Sequence, residues 1–340
     1  MMRVDIHSHT APAKYLEAIR RDPKSMGCRI EKNDQGHEAI VQENGWSTRV
    51  RTNLIDPELR LREMAAERVD VIVESLLPPL LPLWAPIAIG VRVCQVVNDA
   101  IAEDAARYPG RIVGMGIVPV QDVGEAIREL DRLVNQHHMP SVLIPASHAG
   151  RNLDEPEFFS FFERAQEYGV LIFIHPHEVA AADRLKKYAL ANLIGNPLET
   201  TIAQASLIFG GVLERLPALK ICCAHGGGYS PWIRGRWRHG QNSRHEARDV
   251  VTGPIYEYLS RMYFDTCVFD PASVEFLIKT MGSNHVLLGT DYPTPMMDAG
   301  QVSVINRIDG LTEEDKENVL GGNAARLLGL QRQQATRSAN

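Results

Sequence analysis

At 340 residues the chain is long enough for one large domain or two small ones, and α/β barrels often exceed about 250 residues as a single domain. The composition is 44% hydrophobic and 23% charged, which supports a core that needs no disulfides. The net formal charge is −6 and no run of Lys or Arg occurs, which excludes the basic face that nucleic acids or membrane surfaces require.

Neither the cysteines nor the apolar segments indicate an exported or membrane protein. The five cysteines are odd in number and include no CxxC pair, so neither a disulfide framework nor a zinc ribbon is predicted. The longest apolar stretch, residues 76–91, is broken by four prolines and is too short to span a bilayer. The start, MMRVDIHSHT, lacks the apolar stretch of a signal peptide, and we expect a cytoplasmic protein.

Short apolar runs alternate with longer helical patterns along almost the whole chain. Eight of these runs lack polar alternation, which predicts parallel strands buried on both faces. They are residues 3–7, 69–76, 111–118, 141–145, 171–175, 220–225, 262–267 and 285–291.

Helix starts are marked between these strands. Asp56 and Asp270 each precede a proline, a pattern typical of a capping residue followed by the first helical position. Thr312 followed by Asp315 resembles a capping box for the last helix.

The alternation of strands and helices favours a closed (β/α)8 TIM barrel. An open doubly wound sheet is the alternative, but no glycine-rich dinucleotide fingerprint follows the first strand. Residues 11–55 are polar and rich in turn residues, which predicts a small inserted cap after strand one. We expect one domain over residues 1–330 and a polar tail over residues 331–340.

Residues that bind metals stand at the ends of four predicted strands. His7 and His9 end the first strand, His175 the fifth, His225 the sixth and Asp291 the eighth. The carboxyl ends of barrel strands surround one opening, where barrel enzymes place their chemistry. Histidines with a carboxylate suit Zn²⁺ or another divalent first-row metal. A lone histidine in a core or an aspartate capping a helix is the structural alternative for each residue taken singly.

The same motifs carry a resemblance to a known family. The HxH of the first strand, the His-Pro of the fifth, Ala-His-Gly-Gly-Gly after the sixth and Gly-Thr-Asp-Tyr-Pro after the eighth resemble the amidohydrolase superfamily, and within it the decarboxylase branch. The resemblance implies that His7, His9, His175 and Asp291 bind one divalent metal, for which Zn²⁺ is favoured. It makes His225 the acid–base residue beside a metal-bound water. The fourth strand ends without the lysine that the two-metal variant of the superfamily needs.

Candidate substrate contacts also follow from the resemblance. Arg236 and Arg244 match the spacing of two carboxylate-binding arginines of the branch, and Arg49 or Arg51 matches a third in the cap. A solvated helix face is the alternative for the arginines after the sixth strand. Three aromatic positions of the branch, two of them tryptophans, are replaced here by Thr294, His177 and Tyr188, which predicts a different substrate.

We therefore expect a metal-dependent, non-oxidative decarboxylase of a conjugated or aromatic carboxylate. His225 or Asp291 would relay the proton to the substrate carbon. A metal-dependent hydrolase or hydratase, acting on an amide, a lactone, a C–C bond or a double bond, is the alternative within the superfamily. If the chain is not an enzyme, the alternative is a ligand-binding barrel without catalytic activity. The partners expected are a small-molecule carboxylate and, by analogy, a second copy in a homodimer.

Overall fold

The computed structural model describes residues 2–298 and 300–330, so the predicted polar tail lies outside the described residues. The strands are β1 (Val4–Thr10), β2 (Cys28–Lys32), β3 (Glu38–Gln42), β4 (Ser47–Arg49), β5 (Val71–Leu76), β6 (Ile112–Ile117), β7 (Ser141–Pro145), β8 (Ser147–His148), β9 (Arg151–Asn152), β10 (Leu171–His175), β11 (Lys220–Cys223), β12 (Tyr263–Asp265) and β13 (Val286–Leu287). The helices are α1 (Ala13–Arg21), α2 (Pro23–Met26), α3 (Thr52–Ile55), α4 (Pro57–Ala66), α5 (Ile87–Arg107), α6 (Val123–Asn135), α7 (Phe159–Tyr168), α8 (Asn196–Phe209), α9 (Val212–Arg215), α10 (Ser230–Ser243), α11 (Ile255–Leu259), α12 (Pro271–Met281), α13 (Gln301–Asn306), α14 (Glu313–Glu317) and α15 (Asn323–Leu328).

Eight parallel strands form one barrel. Their order is β1-β5-β6-β7-β10-β11-β12-β13, so each barrel strand pairs with the next one along the chain. The segment of β13 and the residues after it pairs with β1 and closes the barrel. Ile6 N donates to Leu288 O at 2.9 Å, and Ser8 forms a parallel bridge with Tyr292. The predicted (β/α)8 barrel is therefore confirmed.

The barrel strands differ from the predicted runs mainly at their carboxyl ends. β1 extends to Thr10, so that His9 lies within the strand. β11 and β13 end earlier than predicted, before His225 and Asp291. Both residues have a left-handed backbone, with φ of +56° and +58°, which is incompatible with an extended strand. These two side chains therefore stand on the loops that follow their strands.

The predicted helix starts are confirmed. The Asp56 carboxylate accepts hydrogen bonds from the backbone amides of the first turn of α4, and Asp270 does the same for α12. Thr312 and Asp315 form the predicted reciprocal capping box at α14. These local signals fix where the helices begin after the barrel strands.

An insert between β1 and β5 confirms the predicted small cap. It contains α1 to α3 and an antiparallel sheet of β2, β3 and β4. Its last residues return to β1, where the carbonyl of Leu54 accepts from Thr10 Oγ1 at 3.0 Å and from Ala11 N at 2.8 Å. The insert is thus attached at the carboxyl end of the first barrel strand.

A buried ion pair joins α4 to the barrel, and its arginine also holds the end of the insert. Arg60 of α4 is fully buried, and its Nε donates to Glu74 Oε1 of β5 at 2.7 Å. Its Nη1 donates to the carbonyl of Leu54 at 3.0 Å. A buried charge is tolerated only when it is paired and hydrogen-bonded, and Arg60 meets both conditions here.

The described residues include no helix with the length and apolar character needed to cross a bilayer. The longest, α5, has 21 residues but carries charged side chains, among them Arg92, Asp99 and Glu103. Its buried face packs against the barrel through apolar residues such as Val93 and Val97.

Replacing Glu74 by Gln is expected to lower the free energy of unfolding by about 3 kcal/mol, because the buried Arg60 charge loses its hydrogen-bonded carboxylate and keeps only that of Asp104, at 3.6 Å. The matched control is Glu125→Gln, which breaks the exposed pair with Arg128 and should cost at most about 1 kcal/mol. Urea unfolding followed by circular dichroism measures both. Equal, small losses in the two variants would contradict the role given to the buried pair.

Candidate metal centre at the carboxyl end of the barrel

Three histidines meet at the carboxyl end of the barrel. His7, His9 and His175 each direct a ring nitrogen into one group whose atoms lie within 4.8 Å of one another. The Nε2 atoms of His7 and His9 are 3.1 Å apart. Asp291 Oδ1 lies 3.6 Å from the first of these nitrogens and 3.4 Å from the second. All four predicted ligands are buried and converge on one point.

The opposite ring nitrogen of each histidine is held by the protein. The Nδ1 atoms lie 2.6 Å from Asp265 Oδ2 for His7, 3.1 Å from Ser75 Oγ for His9 and 2.7 Å from the Pro176 carbonyl for His175. Such second partners orient the rings of metal-binding histidines and select their tautomer. The Nε2 atoms of all three are thereby turned towards the shared point.

The electrostatics of the cluster suit a divalent cation. Burial lowers the pKa of His9 to about 4 and that of His175 well below the usual range, so both rings are neutral. Burial opposes ionisation of Asp291, but its hydrogen bond with His9 and the nearby imidazoles lower the pKa to about 2. Neutral imidazole and ionised carboxylate are the forms that ligate metals, so His9, His175 and Asp291 fit such an ion.

His225 lies beside this cluster and outside the group of three histidines. It begins a 3-10 turn, His225–Gly227, directly after β11. Its ring centroid is 5.0 Å from that of His175 and 5.4 Å from that of His7. Its Nδ1 is buried and has no hydrogen-bond partner among the described residues. The ring therefore lies against two of the predicted ligands.

The glycines after His225 are required by backbone geometry. Gly228 has a φ of +63°, and a Cβ added there would lie 2.0 Å from the carbonyl oxygen of Pro197 in α8. Gln204, also in α8, donates from Nε2 to Gly227 O at 2.7 Å. The loop that holds His225 is thus packed closely against α8.

The predicted substrate contacts differ in their exposure to solvent. His177 follows His175 closely, and both of its ring nitrogens are buried without a partner in the part of the chain that the structure describes. Arg49, Tyr188, Arg236 and Arg244 are exposed. Of these five side chains, His177 alone has its polar atoms buried within the described part of the chain.

Residues that sequence reasoning missed hold the cluster in place. Asp265 and Ser75 orient His7 and His9, and Asp5 accepts from Thr290 Oγ1 at 2.6 Å and from His7 N at 3.0 Å. A signal was present, since Asp5 and Asp265 are ionisable residues within apolar predicted strands. Such residues are rarely buried unless they are paired.

The closed barrel and its buried histidine cluster define the class: a TIM-barrel protein with a metal-type site at the carboxyl ends of its strands. Residues 4–330 match the family model described as Amidohydrolase, and the chain belongs to this family. The resemblance predicted from the motifs is therefore confirmed.

Related proteins agree with this assignment. The chain is 35% identical over 331 residues to the 2-amino-3-carboxymuconate-6-semialdehyde decarboxylase of Dictyostelium discoideum, covering 97% of this chain and 92% of the relative. Its fold is similar to that of an IDCase from Metarhizium anisopliae, with a TM-score of 0.84, 21% identity and coverage of 97% of each chain. A dihydroxybenzoic acid decarboxylase from Polaromonas sp., solved with bound manganese, has a TM-score of 0.79, 21% identity and coverage of 97% of each chain.

Replacing Gly228 by Ala is expected to lower the free energy of unfolding by about 3 kcal/mol. The added methyl would collide with the carbonyl oxygen of Pro197, and a residue with a side chain is disfavoured at this positive φ. The control is Gly235→Ala within α10, where nothing lies within 4 Å of the added carbon. That change should be neutral or stabilising by up to about 1 kcal/mol. Thermal and urea unfolding compare the two, and a Gly228 variant as stable as the control would refute the packing argument.

Proposed function

We propose that the chain is a metal-dependent decarboxylase of a conjugated or aromatic carboxylate. The observation that carries the proposal is the convergence of His7, His9, His175 and Asp291, with His225 alongside. The Dictyostelium relative and the Polaromonas structure are both named as decarboxylases, which supports the reaction class.

His7, His9, His175 and Asp291 would hold one divalent metal. Three imidazoles and a carboxylate suit Zn²⁺, and the manganese of the Polaromonas structure makes Mn²⁺ the second ion to test. When bound, the ion supplies positive charge that stabilises negative charge developing on the substrate. The strand β7 ends in Ile144 and Pro145, which supply no ligand for a second metal.

The reaction requires a proton at a defined place. The bond between the substrate carbon and its carboxylate breaks, CO₂ leaves, and the electron pair stays on the carbon, which then takes a proton. His225 would deliver that proton, because its Nδ1 is unpartnered within the described residues and its ring lies against His175. Asp291 is the second candidate, but its carboxylate already lies against His7 and His9.

Substrate binding would involve His177, Tyr188, Arg49, Arg236 and Arg244. The two buried ring nitrogens of His177 offer hydrogen bonds to a polar substituent, and the guanidinium groups match carboxylates in shape. We propose a homodimer, in which exposed arginines of a second copy can approach the substrate. Analytical ultracentrifugation tests this, and a monomer at micromolar concentration would contradict it.

A hydrolase or hydratase of the same superfamily would use the same cluster to activate water. The two reaction classes differ in their products, because decarboxylation releases CO₂ whereas the alternative incorporates oxygen from water. Incubation with muconates, benzoates and lactones in H₂¹⁸O separates them by mass spectrometry. Incorporation of ¹⁸O without CO₂ release would replace the decarboxylase by the hydrolase or hydratase.

His175→Ala is expected to abolish tight binding of the metal, because one of the converging nitrogens is lost. Elemental analysis after loading with Zn²⁺ or Mn²⁺ should find about one ion per wild-type chain and far less in the variant. A ligand present at about 100 times its Kd stabilises a protein by about 2.7 kcal/mol, so metal should raise the Tm of the wild type only. Equal metal content in both proteins would exclude the proposed site.

His225→Asn is expected to lower the rate of CO₂ release by about 10²- to 10⁴-fold while metal content stays unchanged, because only the proton-transfer group is removed. The matched control is His138→Asn, at an exposed loop residue before β7. Both residues have a left-handed backbone, with φ of +56° and +53°, which asparagine tolerates. A fully active His225 variant would overturn the acid–base role.

A further inference from the structure

Asp265, which the motifs did not single out, contacts both halves of the candidate site. It ends β12 and is fully buried. Its Oδ2 lies 2.6 Å from His7 Nδ1 and accepts from His225 N at 3.1 Å. Its Oδ1 accepts from Gly226 N at 2.8 Å and from Cys267 N at 3.0 Å. One carboxylate therefore joins the ring of a candidate ligand to the loop of the candidate acid–base residue.

The contact with His7 determines where that ring keeps its proton. An ionised carboxylate can only accept hydrogen bonds, so the Nδ1 of His7 must be the donor. The lone pair of Nε2 is then directed at His9 and Asp291, where the metal would bind. A short bond to a carboxylate also raises the basicity of a ligating imidazole.

The contacts with the loop hold an uncommon backbone conformation. His225 and Gly226 have φ values of +56° and +61°, and such left-handed pairs need compensating contacts when one residue is not glycine. Asp265 accepts from the amides of both residues. The position of the His225 ring beside His175 thus depends on the same carboxylate.

We propose that Asp265 is a positioning residue that holds His7 in its metal-binding tautomer and holds the His225 loop at the cluster. The proposal rests on the metal site of the proposed function. It adds that the affinity of that site for the ion is set in part by a residue that does not touch the ion.

Asparagine has the same shape as aspartate but cannot satisfy these contacts. If its oxygen takes the place of Oδ1, the amides of Gly226 and Cys267 keep their acceptor. Its NH₂ group then faces His7 Nδ1 and the His225 amide, which is itself a donor. His7 would respond by accepting at Nδ1 and protonating Nε2, the atom needed for the metal.

The test is the affinity of Asp265→Asn for Zn²⁺ and Mn²⁺, measured by competition with a fluorescent chelator. Affinity is expected to fall by roughly 10- to 100-fold relative to the wild type. The matched control is Asp270→Asn, which caps α12 through Ser273 N, a role that asparagine fills equally well, and its affinity should equal that of the wild type. An Asp265→Asn protein with wild-type affinity would overturn the proposal.

A double-mutant cycle with His7→Gln separates positioning from general damage. If Asp265 acts through His7, Asp265→Asn should cost much less affinity in the His7→Gln background than in the wild type. An undiminished loss there would overturn the role through His7. Asp265→Glu keeps the negative charge and the acceptor oxygens, and it replaces Asp265→Asn in the test if that variant does not fold. Its affinity for the metal should be higher than that of His7→Gln. A Glu variant as weak as His7→Gln would also overturn the proposal.

Metal binding by the wild type separates the positioning role of Asp265 from the metal site itself. If the wild type binds neither ion, the metal site itself is refuted. If the wild type binds metal and the Asp265 variants bind it equally well, the metal site stands and only the positioning role is lost.

Discussion

Closure of the barrel is the constraint on which the candidate site depends. Asp291 follows the last strand and His7 lies in the first, and the amide of Asp291 donates to the carbonyl of His7 at 2.9 Å. This backbone contact brings a carboxylate from one end of the chain against histidines from the other. Without closure the cluster would lose its acidic residue, so the stability of the barrel and the integrity of the site are linked.

The site concentrates buried polar groups, and hydrogen bonds compensate their burial. Asp5 and Asp265 accept from backbone amides around the cluster, and Asp5 also accepts from Thr290. A buried carboxylate costs free energy unless it is paired or hydrogen-bonded. This arrangement turns the Nε2 atoms of His7 and His9 towards one another and towards Asp291, which is the geometry of a preorganised metal site.

The candidate substrate contacts lie on segments outside the histidine cluster. Barrel enzymes vary their loops while they retain the strand ends, so a shared site is compatible with different substrates. His177 and Tyr188 stand on the segment after β10, and the candidate arginines stand on α10, after it, and in the insert. Under the proposed function, these exposed or loop positions are where this chain and its decarboxylase relatives would differ in specificity.

Local patterns in the sequence were sufficient to predict the barrel, the helix caps of Asp56 and Asp270, and the placing of His7, His9 and His175 at strand ends. Each of these depends on periodicity or on neighbours a few residues away. The partner of His7 was not predictable, because Asp265 lies 258 residues further along the chain. The left-handed backbones of His225 and Asp291 were also missed, since they arise from loop packing and barrel closure. The sequence by itself thus determined the fold and the kind of site, whereas only tertiary contacts decided how its groups are oriented.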